Sequence, residues 1–100
     1  MNKIFTDNGW KDYVYWRTED RKTLKKINSL IEDICRNGNE GIGKPEPLTG
    51  NLIGFWSRRI NDKDRLVYKI DEDSIYISLL VSINKEKKFH HHYIEYLCAT

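Results

Sequence analysis

The sequence predicts one α+β domain in the order β-α-α-β-β-β, with two helices packed on one face of a small antiparallel sheet. Three observations carry this prediction. Residues 21–37 place their apolar side chains on one helical stripe. Residues 38–50, "GNEGIGKPEPLTG", form the only Gly/Pro-rich segment. Beyond that segment the apolar periodicity changes from helical to strand-like, in three runs joined by short polar turns.

Taken in order, "KIFT" (Lys3 to Thr6) is short and β-prone and predicts a first strand. Asp7 or Asn8 can cap the helix that follows, in which Trp10, Tyr13, Val14 and Arg17 recur at helical spacing. Tyr15 and Trp16 fall off that stripe, so the helix is expected to bury aromatics on more than one side. "RTED" breaks it, and Asp20 is the expected N-cap of a second helix. There Leu24, Ile27, Leu30, Ile31 and Ile34 make the buried stripe, and Lys22, Lys25, Lys26 and Glu32 cover a solvated face. Asn37-Gly38 ends it. "NLIGFWSRRI", "RLVYKI" and "SIYISLLVSI" then read as strands of a meander, turning at "NDKD" and "DED".

A chain of 100 residues buries roughly two thirds of its unfolded surface, enough for one core. Its 39% apolar and 12% aromatic content is that of a globular domain, and a formal charge of +2 says little about partners. No apolar run approaches the roughly 20 residues of a membrane span, and the N-terminus lacks a signal-peptide core, so a cytoplasmic protein is expected. Cys35 and Cys98 are then free thiols without an assigned role.

Few residues stand out as chemistry. Glu46 lies between Pro45 and Pro47, each with φ fixed near about −65°, so its carboxylate rides on stiff backbone; it is either a held general base or an ordinary loop glutamate. Arg58, Arg59 and Arg65 flank the first meander turn, where arginine suits bidentate phosphate contact or simply solubilises the sheet. Arg58 and Arg59 are adjacent in a strand and point to opposite faces, so at most one joins any given site. Phe55, Trp56 and Tyr68 read as packing rather than base-stacking platforms. His90, His91 and His92 are the only histidines, and neighbours in a strand cannot all turn toward one metal ion. A converging glutamate, arginine and histidine would suit RNA cleavage. The carboxylate would deprotonate the 2′-OH, the guanidinium would stabilise the charged phosphorane, and the imidazole would protonate the departing 5′-oxygen.

"GKPEPL" followed by "NLIGFWSRRI" and "RLVYKI", together with "WKDYVYW" and "KKINSLIEDI", resembles the YoeB toxins of the RelE/ParE toxin superfamily over about residues 1–79. The resemblance implies a RelE/ParE-like fold and the toxin half of a type II toxin–antitoxin pair. It implies a metal-independent endoribonuclease, without a cofactor, that cuts mRNA in the ribosomal A site against 16S rRNA. Such toxins are restrained by a YefM-type antitoxin and often dimerise; no membrane partner is expected. Glu46 matches the family's general base and Arg65 its phosphate-stabilising arginine, while Arg59 and Lys44 match RNA-contacting positions. Family members close on a histidine–tyrosine pair, the general acid and a substrate-positioning residue. Ungapped alignment puts Ile83 and Asn84 there, so residues 1–83 read as the core and 84–100 as an atypical extension. His92 and Tyr93 restore the pair if the preceding residues form an insertion, with His90 the fallback. The alternatives are a weakened or inactive homologue that only binds ribosome or antitoxin, and a non-enzymatic inhibitor like the gyrase-poisoning ParE members.

Overall fold

The computed structural model describes residues 1–79, so His90, His92, Tyr93 and the expected 84–100 extension lie outside the described residues. The elements are β1 (Asn2–Phe5), α1 (Asp7–Glu19), α2 (Arg21–Asn37), β2 (Glu46–Pro47), β3 (Trp56–Arg59), β4 (Arg65–Asp71) and β5 (Ser74–Leu79). They form one sheet in the order β1-β5-β4-β3-β2, with both helices on one face. Strands β2 to β5 pair antiparallel, as the polar turns predict, but β1 lies parallel to β5, so the sheet is mixed. The reason is the crossover. The two helices carry the chain from β1 at one edge to β2 at the other, and the meander then returns to β1.

Thr6, rather than Asp7 or Asn8, caps α1: its Oγ1 accepts from Gly9 N at 3.1 Å and donates to Ser78 O at 3.1 Å. One hydroxyl therefore starts the helix and ties it to β5. Phe5, Tyr13 and Trp16 pack at the core margin, and Trp10 stacks on Tyr13 with centroids 5.7 Å apart; Trp10 and Tyr15 are exposed, so α1 buries its aromatics on one side rather than on several. Asp20 caps α2 as expected, accepting from Lys22 N, Thr23 N and Thr23 Oγ1. Ile27, Leu30, Ile31 and Ile34 then pack on Ile60, Leu66, Tyr68, Ile75 and Ile77 of the sheet. Each such side chain contributes about 1.5–3 kcal/mol of burial.

The run "NLIGFWSRRI" is only partly strand. Residues 50–52 make a 3₁₀ turn bracketed by Gly50 and Gly54, which buries Leu52 and leaves β3 four residues long. In β5 the pairing slips: Val67 faces Leu79 while Tyr68 faces Ile77, so Ser78 is the extra residue of a bulge.

At that bulge α1 lies tight against the sheet. A Cβ on Gly9 would meet the carbonyl oxygens of Ile77 at 2.4 Å and Ser78 at 2.8 Å. Both obstacles are backbone and cannot swing aside. Gly9→Ala is therefore expected to destabilise the fold by roughly 1–3 kcal/mol, as overpacking does. A lowered urea midpoint with an unchanged slope would show it, and an unchanged midpoint would refute the tight contact.

Candidate active site

The site begins with how the chain enters β2. Asp33, on the last turns of α2, accepts from Asn37 Nδ2 at 2.8 Å and Ile42 N at 3.1 Å, so the loop after the helix folds back around its carboxylate. The approach demands glycine at position 41, where φ is +128° and a Cβ would sit 2.0 Å from Asp33 Oδ2. Arg58, on the core face of β3, is 0% exposed and reaches into the same loop. Its Nη1 donates to Asp33 Oδ2 and to Ile42 O (2.9 Å), its Nη2 to Gly38 O (2.7 Å) and Glu40 O (3.0 Å), and its Nε to Tyr68 Oη (3.3 Å). The Arg58 hydrogen bond holds the Asp33 carboxyl below its ordinary value of 3.8, with further help from Ile42 N and Asn37. Burial pushes the Tyr68 phenol up.

Strand alternation then puts the neighbours of Arg58, Ser57 and Arg59, on the opposite face. Cross-strand pairing adds Glu46 opposite Ser57 and Arg65 opposite Arg59. These four side chains share one side of the sheet. Arg65 Nη1 donates to Glu46 Oε2 at 3.4 Å and to the buried Ser57 Oγ at 3.3 Å. The Arg65 side chain is 14% exposed and that of Glu46 48%, so one is held in the sheet and the other stands at the surface. Lys44 is exposed, with φ +50°, next to Gly43, whose carbonyl accepts from Arg59 N at 2.6 Å.

Two guanidinium groups and one carboxylate thus share one side of β2, β3 and β4, and the exposed Lys44 precedes Glu46 by two residues. Like charges on directly opposed residues, as on Arg59 and Arg65, are unfavourable unless an anion lies between them. The Glu46–Arg65 contact is half exposed, and such pairs contribute about 0–1 kcal/mol, so an incoming phosphate can displace it at little cost. Among the described residues no group of three His, Cys, Asp or Glu side chains could hold a metal ion, and no helix is long and apolar enough to cross a membrane.

The structure brings Glu46 and Arg65 into contact and pairs Arg59 with Arg65, while Lys44 lies exposed in the loop two residues before Glu46. Reasoning from the sequence missed Ser57, whose hydroxyl holds Arg65, and the Arg58–Asp33–Tyr68 cluster beneath. Part of the signal was present: of two adjacent strand arginines, the one in register with an apolar residue, Arg58 with Leu66, must face the core.

The sheet order and helix placement define a class, the small bacterial toxins of RelE-like fold. A YoeB/ParE toxin from Agrobacterium tumefaciens superposes with a TM-score of 0.81 at 35% identity, over 84% of this chain and all of that one. YoeB from Staphylococcus aureus, solved as a dimer and in complex with YefM, gives TM-scores of 0.80 and 0.79 at 46% and 45% identity, over 84% of this chain and 98% of the other. Within that class the sequence is more specific. Toxin YoeB of Streptomyces coelicolor is 56% identical over 77 residues, 77% of this chain and 92% of that one. The family model for the YoeB-like toxin of bacterial type II toxin–antitoxin systems matches residues 5–93. The chain belongs to this family.

The low pKa of Asp33 makes a prediction about acid stability. A carboxyl titrating below 3.8 in the fold adds stability that is complete above the unfolded value and is lost as pH falls through the folded one. Urea midpoints of wild type and Asp33→Asn should therefore differ most at neutral pH and converge as the pH drops below about 4. Asp20, also held low, chiefly by its Thr23 hydrogen bonds, is common to both proteins and cancels. A constant gap down to strong acid would refute the Arg58–Asp33 assignment.

Proposed function

We propose that the chain is a ribosome-dependent endoribonuclease that cuts mRNA in the A site by acid–base chemistry without a metal ion. The observation that carries this reading is the Glu46 carboxylate lying 3.4 Å from the Arg65 guanidinium on one sheet face flanked by cations. In the proposed reaction Glu46 takes the proton of a 2′-OH, and the freed oxygen attacks the adjacent phosphorus. Arg65, fixed by Ser57, stabilises the charge on the phosphorane oxygens, where preorganised donors act most strongly. Arg59 and Lys44 hold the neighbouring phosphates. The bond to the 5′-oxygen breaks as that oxygen takes a proton from His92, leaving a cyclic phosphate, and Tyr93 positions the strand. The family match extends to residue 93 and so takes in His92 and Tyr93, which supports the insertion reading over the ungapped Ile83-Asn84 one. By the same kinship the restraining partner is a YefM-type antitoxin, and the free toxin pairs with a second copy, as in Staphylococcus aureus. A cytoplasmic location follows from a ribosomal target.

The test is cleavage of mRNA on programmed ribosomes. Wild type is expected to cut in the A-site codon, and Glu46→Gln to lose on the order of 10²–10⁴-fold in rate, the range for a general base. His92→Ala should lose a comparable factor if His92 is the acid. A wild type that cuts nothing, or a Glu46→Gln that cuts as well, would overturn the reading. Retained activity in His92→Ala would move the acid elsewhere.

A further inference from the structure

Glu46 belongs to a strand of two residues, Glu46 and Pro47, and Pro47 has no N–H to give. Leu48 N continues the pairing after it by donating to Phe55 O at 2.9 Å, so it is the side before Glu46 that needs other means to hold the base in place. The segment leading into it, residues 38–43, has few backbone tethers. Gly38 N closes the helix on Ile34 O at 2.9 Å, Glu40 N reaches Asn37 O at 3.3 Å, and Gly43 O accepts from Arg59 N at 2.6 Å. The rest converge on two side chains. Arg58 binds the carbonyls of Gly38, Glu40 and Ile42, and Asp33 binds Ile42 N. Only Gly43, Lys44 and Pro45 separate Ile42 from Glu46. Lys44 has φ +50° and Pro45 a fixed φ, so little slack remains between tether and base.

We infer that the buried Arg58–Asp33 pair is a positioning device for the reaction: it fixes the route of residues 38–43 and thereby sets Glu46 opposite Ser57 and against Arg65. Arg58 lies on the core face of β3 and touches no substrate. It acts through the loop on one side and through its strand neighbours Ser57 and Arg59 on the other. Two conservative variants separate this role from general support of the core. Arg58→Lys keeps the charge and loses the forked donors, and Asp33→Asn keeps the shape and an acceptor but loses the charge.

The inference rests on the endoribonuclease reading for its kinetic arm only. In the full-length chain each variant should lower kcat on the order of 10²-fold, the effect of a displacement of about 1 Å, while KM for programmed ribosomes stays within about twofold. Amide hydrogen exchange should accelerate about tenfold or more across residues 38–46, with α1 and β5 at wild-type rates. Exchange rising uniformly over the whole fold, or kcat at the wild-type level in both variants, would overturn the inference. An unchanged 38–46 segment in both would do the same. A wild type that cleaves nothing refutes the endoribonuclease reading and the kinetic arm with it, and the exchange comparison then decides the tether alone.

Discussion

A guanidinium taken wholly out of water must find acceptors for five N–H groups, because an ion left bare in the interior costs several kcal/mol. Arg58 meets that demand with no donor to spare: one carboxylate, one phenol and three loop carbonyls. Much of the molecule around it is shaped by this requirement. The end of α2 must present Asp33, the segment after it must turn its carbonyls inward, and residue 41 must be glycine to let the backbone pass the carboxylate. Tyr68 must bring a hydroxyl into an otherwise apolar layer, and the Arg58 guanidinium lies 5.8 Å from its ring centroid. Helix, loop and two strands are tied together at one point.

The same strand serves two purposes because side chains alternate along it. Arg58 anchors the core side, while Ser57 and Arg59 on the other side meet Glu46 and Arg65. The anchoring residue and the site therefore share a backbone and cannot drift apart by more than that backbone can bend. A site built on strands is held more tightly than one built on loops alone. Here Glu46 and Lys44 sit on a nearly strandless segment, and that segment follows directly on the loop Arg58 ties down.

Much of this was legible in the sequence. The α2 stripe from Ile27 to Ile34, the Asp20 cap and the antiparallel pairing of β3, β4 and β5 follow from spacing that depends only on local geometry, and they stand as expected. Flanking prolines made Glu46 a candidate, and position at a turn made Arg65 one among three arginines; the family resemblance picked out these two, and the fold joins them. What was not legible depends on contacts far apart in the chain. The parallel β1–β5 pairing requires knowing where the crossover lands. The cap at Thr6, rather than at the more usual Asp7 or Asn8, is favoured by a carbonyl 72 residues away. The burial of Arg58 requires Asp33, 25 residues earlier, to arrive beneath it. An arginine in a short amphipathic strand ordinarily reads as surface, and only a complete set of acceptors turns it inward.

The separation of the two faces also bears on how an RNA would be read. Phosphate contacts by Arg59, Arg65 and Lys44, as proposed, would carry affinity and position but no sequence information. The described part of the site carries one half-buried ring near Glu46, Phe55, with Lys69 Nζ 5.9 Å from its centroid, while Trp56 and Tyr68 pack in or against the core. Stacking on a single ring tolerates any base, so a base-specific grip on a free strand is weak in this part of the site. Aligning a 2′-OH with its phosphorus for in-line attack needs a strand already held in one geometry. An external scaffold that presents the RNA in that geometry supplies what the toxin surface lacks. On the endoribonuclease reading proposed above, dependence on the ribosome would follow from a site with charges for the reaction and few groups for choosing or shaping its substrate.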